Sequence, residues 1–367
     1  MYIRPRRKRH LTPFRVFLLF LLLGGGAWAA LKWPKWRHPF EPTPTPTRTA
    51  SSYMAEGDAF YQDGLLDEAI DAYGKAAELD PQDVRPLIRL ARLLALRHRA
   101  KEAVQCAQRA VELEPKSAEA QAVLGMALDW DGQVDAAITA CLRALDLDSS
   151  YAEAYAYLAE AYVDKGHWEK ALETAQDALA LNPESLDAYR NLGYVLEKQG
   201  DYEGAIVEYK EAVAIHPKLG YLYISLGRNY LVLGDYEEAL AQFQKAVEVD
   251  PHDPRGYDQL GWAYYHQEDY ERAIAALEQA IEIDPEYASA YGHLGVSYYR
   301  QLNYEAAIPN FERAIELGAH SIEYYYELGL SYAYLDQCEQ AIPWLQKALE
   351  IDPNCQPALA GMELCPE

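Results

Sequence analysis

Residues 220–253 read GYLYISLGRNYLVLGDYEEALAQFQKAVEVDPHD. Tyr223, Leu226, Gly227 and Tyr230 lie on one face of an α-helix, and Ala239, Phe243 and Ala246 lie on one face of a second. Between them Gly234 permits a left-handed turn, and Asp235 is placed to cap the next N-terminus, with Glu238 completing a capping box. Pro251 stops the second helix. The stretch predicts a helical hairpin, a unit too small to bury its apolar face without a neighbour.

The same frame recurs on both sides. Proline stands at Pro81, Pro115, Pro183, Pro217, Pro251, Pro285 and Pro353, always 34 residues or a multiple apart, with Ser149 and Ala319 at the skipped places. Taking these places as position 32, nine units of 34 residues run over 50–355. Position 20 is alanine throughout, from Ala69 to Ala341, and so is position 27, from Ala76 to Ala348. Position 8 is always Gly or Ala, while leucine fills position 7 from Leu90 to Leu328. Tyrosines such as Tyr155, Tyr189 and Tyr257 fill position 4, and Tyr202, Tyr236, Tyr270 and Tyr304 fill position 17. Small residues where helix backbones approach, alternating with large ones, predict interlocking packing.

These residues resemble the tetratricopeptide repeat family over 50–355, most clearly in Tyr223, Leu226, Gly227, Tyr230, Gly234, Tyr236, Ala239, Phe243, Ala246 and Pro251. The resemblance implies an all-α, right-handed superhelical solenoid whose concave face grips peptides or protein segments. Departures are Glu56 in place of leucine, His98 and Ala100 at the second turn, and Pro309 and Pro343 early in second helices, where each removes a backbone donor. Residues 356–367 read as a short helix covering the exposed face of the ninth unit.

The family's inner face is lined mainly by positions 2, 5, 9, 12 and 13 of each first helix. Carried onto this chain, the later units give Arg190, Tyr194, Lys198, Tyr221, Arg228, Arg255, Trp262, Tyr265, Tyr299, Arg300, Tyr326 and Tyr334. Arginine and aromatic side chains are the usual material of binding hot spots, suited to an acidic, aromatic-rich or C-terminal segment. The competing reading is that the cations pair with glutamates of neighbouring helices and the rings fill gaps. The first four units mix Arg85 and Arg92 with Glu119, Asp129, Glu153, Glu160 and Asp164, a second and acidic stretch of groove. The chaperone-tail clamp of the family is not matched, since Arg190 and Asn191 share one unit, and no asparagine ladder runs along position 6.

The repeat array is preceded by forty residues of opposite charge. Residues 1–40 carry nine Lys/Arg and no Asp/Glu, which leaves 24 basic and 57 acidic residues, a net of −33, in 41–367. Nucleic acid and anionic lipid heads are repelled by such a domain. Segment 14–33 is long enough for one N-terminal transmembrane helix behind a basic tail at 1–13. The excess of Lys/Arg before it keeps the N-terminus cytoplasmic and the repeats outside. Alternatively 16–23 is the core of a cleaved signal ending at Ala29, and the protein is secreted. The Pro/Thr alternation within 34–49 predicts an extended stalk.

Five cysteines, Cys106, Cys141, Cys338, Cys355 and Cys365, form no C-x-x-C motif, and Cys338 and Cys365 meet if the last helix folds back. No phosphate-binding loop or H-E-x-x-H is present, and Ser297 and Ser331 lack the second glycine of a nucleophile elbow. The expectation is therefore a non-enzymatic, membrane-tethered protein-interaction scaffold without cofactor or metal, taking neither nucleic acid nor a small-molecule substrate. A permanent structural subunit of a cell-envelope assembly or secretion machine is the alternative.

Overall fold

A computed structural model describes residues 48–365. The tail, the 14–33 span and nearly all of the stalk lie outside the described residues; among those described, no helix is long and apolar enough to cross a membrane. Residues from Thr49 onward form one compact unit.

Nineteen α-helices follow one another among the described residues. Units one to three are α1 (Ala50–Asp63) with α2 (Leu66–Leu79), α3 (Val84–Leu96) with α4 (Ala100–Leu113), and α5 (Ala118–Trp130) with α6 (Val134–Leu147). Units four to six are α7 (Ala152–Asp164) with α8 (Trp168–Leu181), α9 (Leu186–Gln199) with α10 (Tyr202–Ile215), and α11 (Gly220–Leu233) with α12 (Tyr236–Val249). Units seven to nine are α13 (Pro254–His266) with α14 (Tyr270–Ile283), α15 (Ala288–Arg300) with α16 (Tyr304–Glu316), and α17 (Ile322–Tyr334) with α18 (Cys338–Ile351); α19 (Gln356–Leu364) ends the array.

Each hairpin locks by shape. The glycine at position 8 receives the large side chain at position 24: a Cβ on Gly227 would lie 2.4 Å from the Phe243 ring, on Gly57 2.5 Å from Tyr73, and on Gly295 2.7 Å from Phe311. Units two and four carry alanine at position 8, and there position 24 is alanine too, as Ala91 with Ala107 and Ala159 with Ala175, all fully buried. The two positions thus trade volume within each hairpin, which preserves close packing without strain.

The turns share one backbone conformation. Position 15 is left-handed in every unit, as Gly64, Gly132, Gly166, Gly200 and Gly234, and as His98, Glu268, Leu302 and Asp336 with φ near 57–60°. Side chains at those four places accept a conformation that glycine takes freely, because backbone bonds such as Arg99 N to Leu94 O at 2.9 Å close the turn around them. Asp201 and Asp269 cap the following helix through their side chains, but Asp235 does not. Its turn is closed instead by backbone bonds from Gly234 and Asp235 to Leu231 and Tyr230. Second helices also end where proline is missing: in unit three the Asp148 carboxylate accepts from Ser150 N at 2.9 Å, a side-chain turn that competes with the helix. Pro309 and Pro343 lie inside α16 and α18 without ending them.

Two features go beyond simple stacking. At the far end, α19 lays Ala358 and Gly361 against unit nine, and a disulfide joins Cys338 to Cys365 across a separation of 27 residues. At the near end the array curls until units one and two rest on units five and six. Lys218 pairs with Asp63 at 2.8 Å, Arg92 with Asp187 at 2.6 Å, and Arg97 with Asp250 at 2.7 Å and with Asp253 at 3.1 Å. Leu219, Tyr221 and Leu222 join the same apolar cluster as Leu93 and Leu94. At Gly64 the two backbones nearly touch, since a Cβ there would lie 1.9 Å from the Lys218 carbonyl oxygen.

Candidate functional site

The first helices face the inside of the curl, and their polar side chains meet in a regular register. Residues 30 apart in sequence bond across neighbouring units: Trp130 Nε1 and Arg190 Nη2 donate to Glu160 at 3.0 and 2.7 Å, Tyr194 Oη donates to Asp164 at 2.8 Å, and Tyr157 Oη to Asp187 at 2.8 Å. The separation is one repeat minus one helical turn, which is how a helix displaced by a unit presents its neighbour one turn earlier.

Five of the expected groove residues, Arg190, Tyr194, Tyr221, Arg228 and Arg255, line one cavity of about 480 Å³, together with His98, Asp129, Trp130, Glu160, Asp164 and Glu197. Their roles differ. Arg190 is buried against Glu160 with both side chains 8 % exposed; burial opposes its charge, and the Glu160 and Asp187 carboxylates outweigh that and keep the guanidinium firmly charged. Tyr221 is buried, and no protein partner reaches its hydroxyl. Arg228 reaches Glu197 at 3.3 Å, a carboxylate that also accepts from Asn229 and Tyr209. Arg255 grips Asp253, the residue that caps its own helix, at 2.5 Å. Arg190 and Arg228 thus pair with glutamates of neighbouring first helices, whereas Arg255 pairs with its own helix cap. Lys198 stands outside the cavity, its Nζ 5.1 Å from the Tyr194 ring centroid.

Asp129 is the exception in this wall. Its residue is 4 % exposed, and no protein donor reaches Oδ1. Burial first, then the nearby Glu160 and Asp164 carboxylates, push its pKa up to about 9, against a partial offset from Arg190.

A second group forms on units seven to nine. The Trp262 ring stacks on Tyr265 at 4.6 Å and on His293 at 4.2 Å. Tyr265 Oη accepts from Arg300 Nε at 2.9 Å, and that guanidinium also lies 5.7 Å from the Tyr299 centroid. Tyr304 bridges Tyr299 to Tyr334, at 5.6 and 4.9 Å between centroids, and Tyr334 is 48 % exposed. Tyr326, like Tyr299, packs against the last apolar cluster. His293 and Glu327 were not singled out from the sequence as site residues. His293 is pinned by Asp258 at 2.7 Å, and Glu327, fully buried with Arg300 at 3.4 Å, has its carboxyl pushed up to about 8 by burial and by Glu323. A glutamate in the core-facing column at position 6 was the available signal.

Among the described residues no group of His, Cys, Asp and Glu is arranged to hold a metal ion.

Three family models described as tetratricopeptide repeat match the chain, one over 158–219 and 224–288, one over 286–354 and one over 60–127. No curated protein matches it. Among solved structures it is similar to a chain of the APC/C hetero-tetramer Cut9–Hcn1, with TM-score 0.68 and 18 % identity over 88 % of this chain and 65 % of that one. The present chain thus spans just under two thirds of that relative. It is also similar to PilF of Pseudomonas aeruginosa, with TM-score 0.53 and 18 % identity over 59 % of this chain and 98 % of that one. At such identities the likeness is one of fold.

Proposed function

The chain belongs to the tetratricopeptide repeat family, and on that premise we propose that it is a protein-interaction scaffold that docks an extended segment of a partner along the inner face of units seven to nine. The observation that carries this reading is the row of rings and guanidinium from Trp262 through Tyr265 and Arg300 to Tyr334. Stacked rings held in place by neighbours lose little freedom on binding, and an arginine among them adds directional donors. Tyr334 and Arg300 remain open to solvent.

We further propose that the scaffold works outside the cytoplasm, tethered by the 14–33 segment. The basic tail before that segment and the Cys338–Cys365 disulfide support the reading, because disulfides persist in oxidising compartments. A tether raises the effective concentration near membrane partners, so a modest groove affinity suffices.

The test is crosslinking in the cells that make the protein, followed by capture of the intact chain beside a variant with Trp262, Tyr299 and Arg300 changed to alanine. Loss of a partner by the variant, with helicity unchanged, supports docking on this face. Identical captured proteins sink it. Cell fractionation and the mass of the mature N-terminus decide between anchor, cleaved signal and neither.

A further inference from the structure

The cavity inside the curl differs in chemistry from the aromatic row and is built from other residues. Its cations are already spoken for: Arg190 by Glu160, Arg228 by Glu197 and Arg255 by Asp253. Two carboxylates in the same wall have no cationic partner. Among the described residues, the exposed Asp164 accepts from the Tyr194 hydroxyl and meets no cation, and Asp129, 4 % exposed, has an oxygen that no protein donor reaches. A buried carboxylate without a partner is disfavoured, so the fold retains here a group that calls for positive charge.

We propose that this cavity is a receptor for an organic cation, a guanidinium or primary ammonium group seated between Asp129 and Asp164 beside the Trp130 ring. Three properties fit that occupant. A volume of about 480 Å³ suits the end of a long side chain or a small amine, not a folded domain. The Trp130 and Tyr194 rings already draw cations of this chain, Arg190 at 5.8 Å and Lys198 at 5.1 Å from their centroids, so the wall favours positive charge, and Trp130 is held by its bond to Glu160. Both carboxylates stand at the C-terminal ends of first helices in successive units, Asp129 buried and Asp164 exposed, so they face one opening from two depths. The proton that Asp129 keeps, under the influence of Glu160 and Asp164, is the smallest cation that answers the same need. Such a group can come from an arginine or lysine of a partner segment or from a free polyamine.

Calorimetric titration of the full chain tests this, using N-acetyl-arginine amide, its neutral isostere N-acetyl-citrulline amide, and spermidine. Saturable binding of a cation is expected, with citrulline amide weaker by roughly tenfold or more. Asp129→Asn, which keeps the shape, should weaken the cation by a similar factor, whereas Glu271→Gln, remote from the cavity, should leave it unchanged. Preference for arginine amide identifies a peptide source, and preference for spermidine a free amine. Equal binding of citrulline amide, indifference to Asp129→Asn, or no saturable binding of either cation overturns the proposal. None of these outcomes bears on the docking face of units seven to nine, which the alanine variant tests separately.

Discussion

Arg97 holds the curl together, and its removal has a calculable cost. Its guanidinium meets Asp250 at 2.7 Å, Asp253 at 3.1 Å and Asp67 at 3.0 Å, and its side chain is 9 % exposed. In Arg97→Ala, Asp67 is half exposed and simply hydrates, while Asp253 keeps Arg255. Asp250 is different: its side chain is 6 % exposed, and among the described residues Arg97 is its one ionic partner. The carboxyl already sits above its usual range through burial, with Arg97 pulling the other way. Without Arg97 it takes up a proton, and holding a proton at pH 7 on a group that ionises near 3.8 when unfolded costs about 4 kcal/mol at most. The expected loss is thus about 2–4 kcal/mol, near the range for breaking a buried pair from one side. The sign with pH follows. A carboxyl whose folded pKa is raised contributes fully below its unfolded pKa and loses that contribution as pH rises through the folded one. The deficit of the variant should therefore be small near pH 4.5 and grow toward pH 7. Urea denaturation followed by circular dichroism at the two pH values measures it. A deficit under about 0.5 kcal/mol at pH 7, or one of equal size at both, refutes the reasoning.

Other perturbations have equally definite outcomes. Gly227→Ala should destabilise by about 1–3 kcal/mol by driving a Cβ into Phe243, and Phe243→Ala by about 3–5 kcal/mol. The double variant should cost clearly less than their sum in denaturant melts, and strict additivity would speak against the paired-volume rule. Glu327→Gln should stabilise unit nine by about 1–3 kcal/mol at pH 7–8 and by little near pH 5, since the raised carboxyl loses stability as pH climbs toward about 8; a gain independent of pH counts against that origin. Cys338→Ser removes the 27-residue closure and should cost about 3–4 kcal/mol, seen as faster amide exchange in α19 and unit nine; unchanged exchange there argues that packing alone holds the last helix.

The helical pairs were readable because their cause is local. Ala69 to Ala341 and Ala76 to Ala348 are small in every unit since one helix must approach the next at the same two points each time, and a rule obeyed nine times in one chain stands out. The curl was not readable. Arg97 and Asp250 are 153 residues apart, and their meeting depends on small rotations accumulated over four hairpins, none of which any single unit displays. The inner face was half readable for the same reason. The family resemblance placed Arg190 and Tyr221 among inner-face residues, but only the curl decides that they are buried while Arg300 and Tyr334 stay open. Asp129 lay in the acidic stretch visible from the sequence, and its isolation from any cation appears only once Arg190, Arg228 and Arg255 are seen to choose other partners.

The volume trade between positions 8 and 24 has a consequence for how such a chain can change over generations. A duplication that copies a whole hairpin carries both halves of the fit, so Gly227 travels with Phe243 and Ala91 with Ala107. An exchange that cuts at the inner turn joins alanine to phenylalanine, or glycine to alanine, and leaves a clash or a hole. The heritable module of this array is therefore the complete hairpin, and workable breakpoints fall in the loops between units. Length is free to vary by whole repeats, while each repeat resists being mixed with its neighbours.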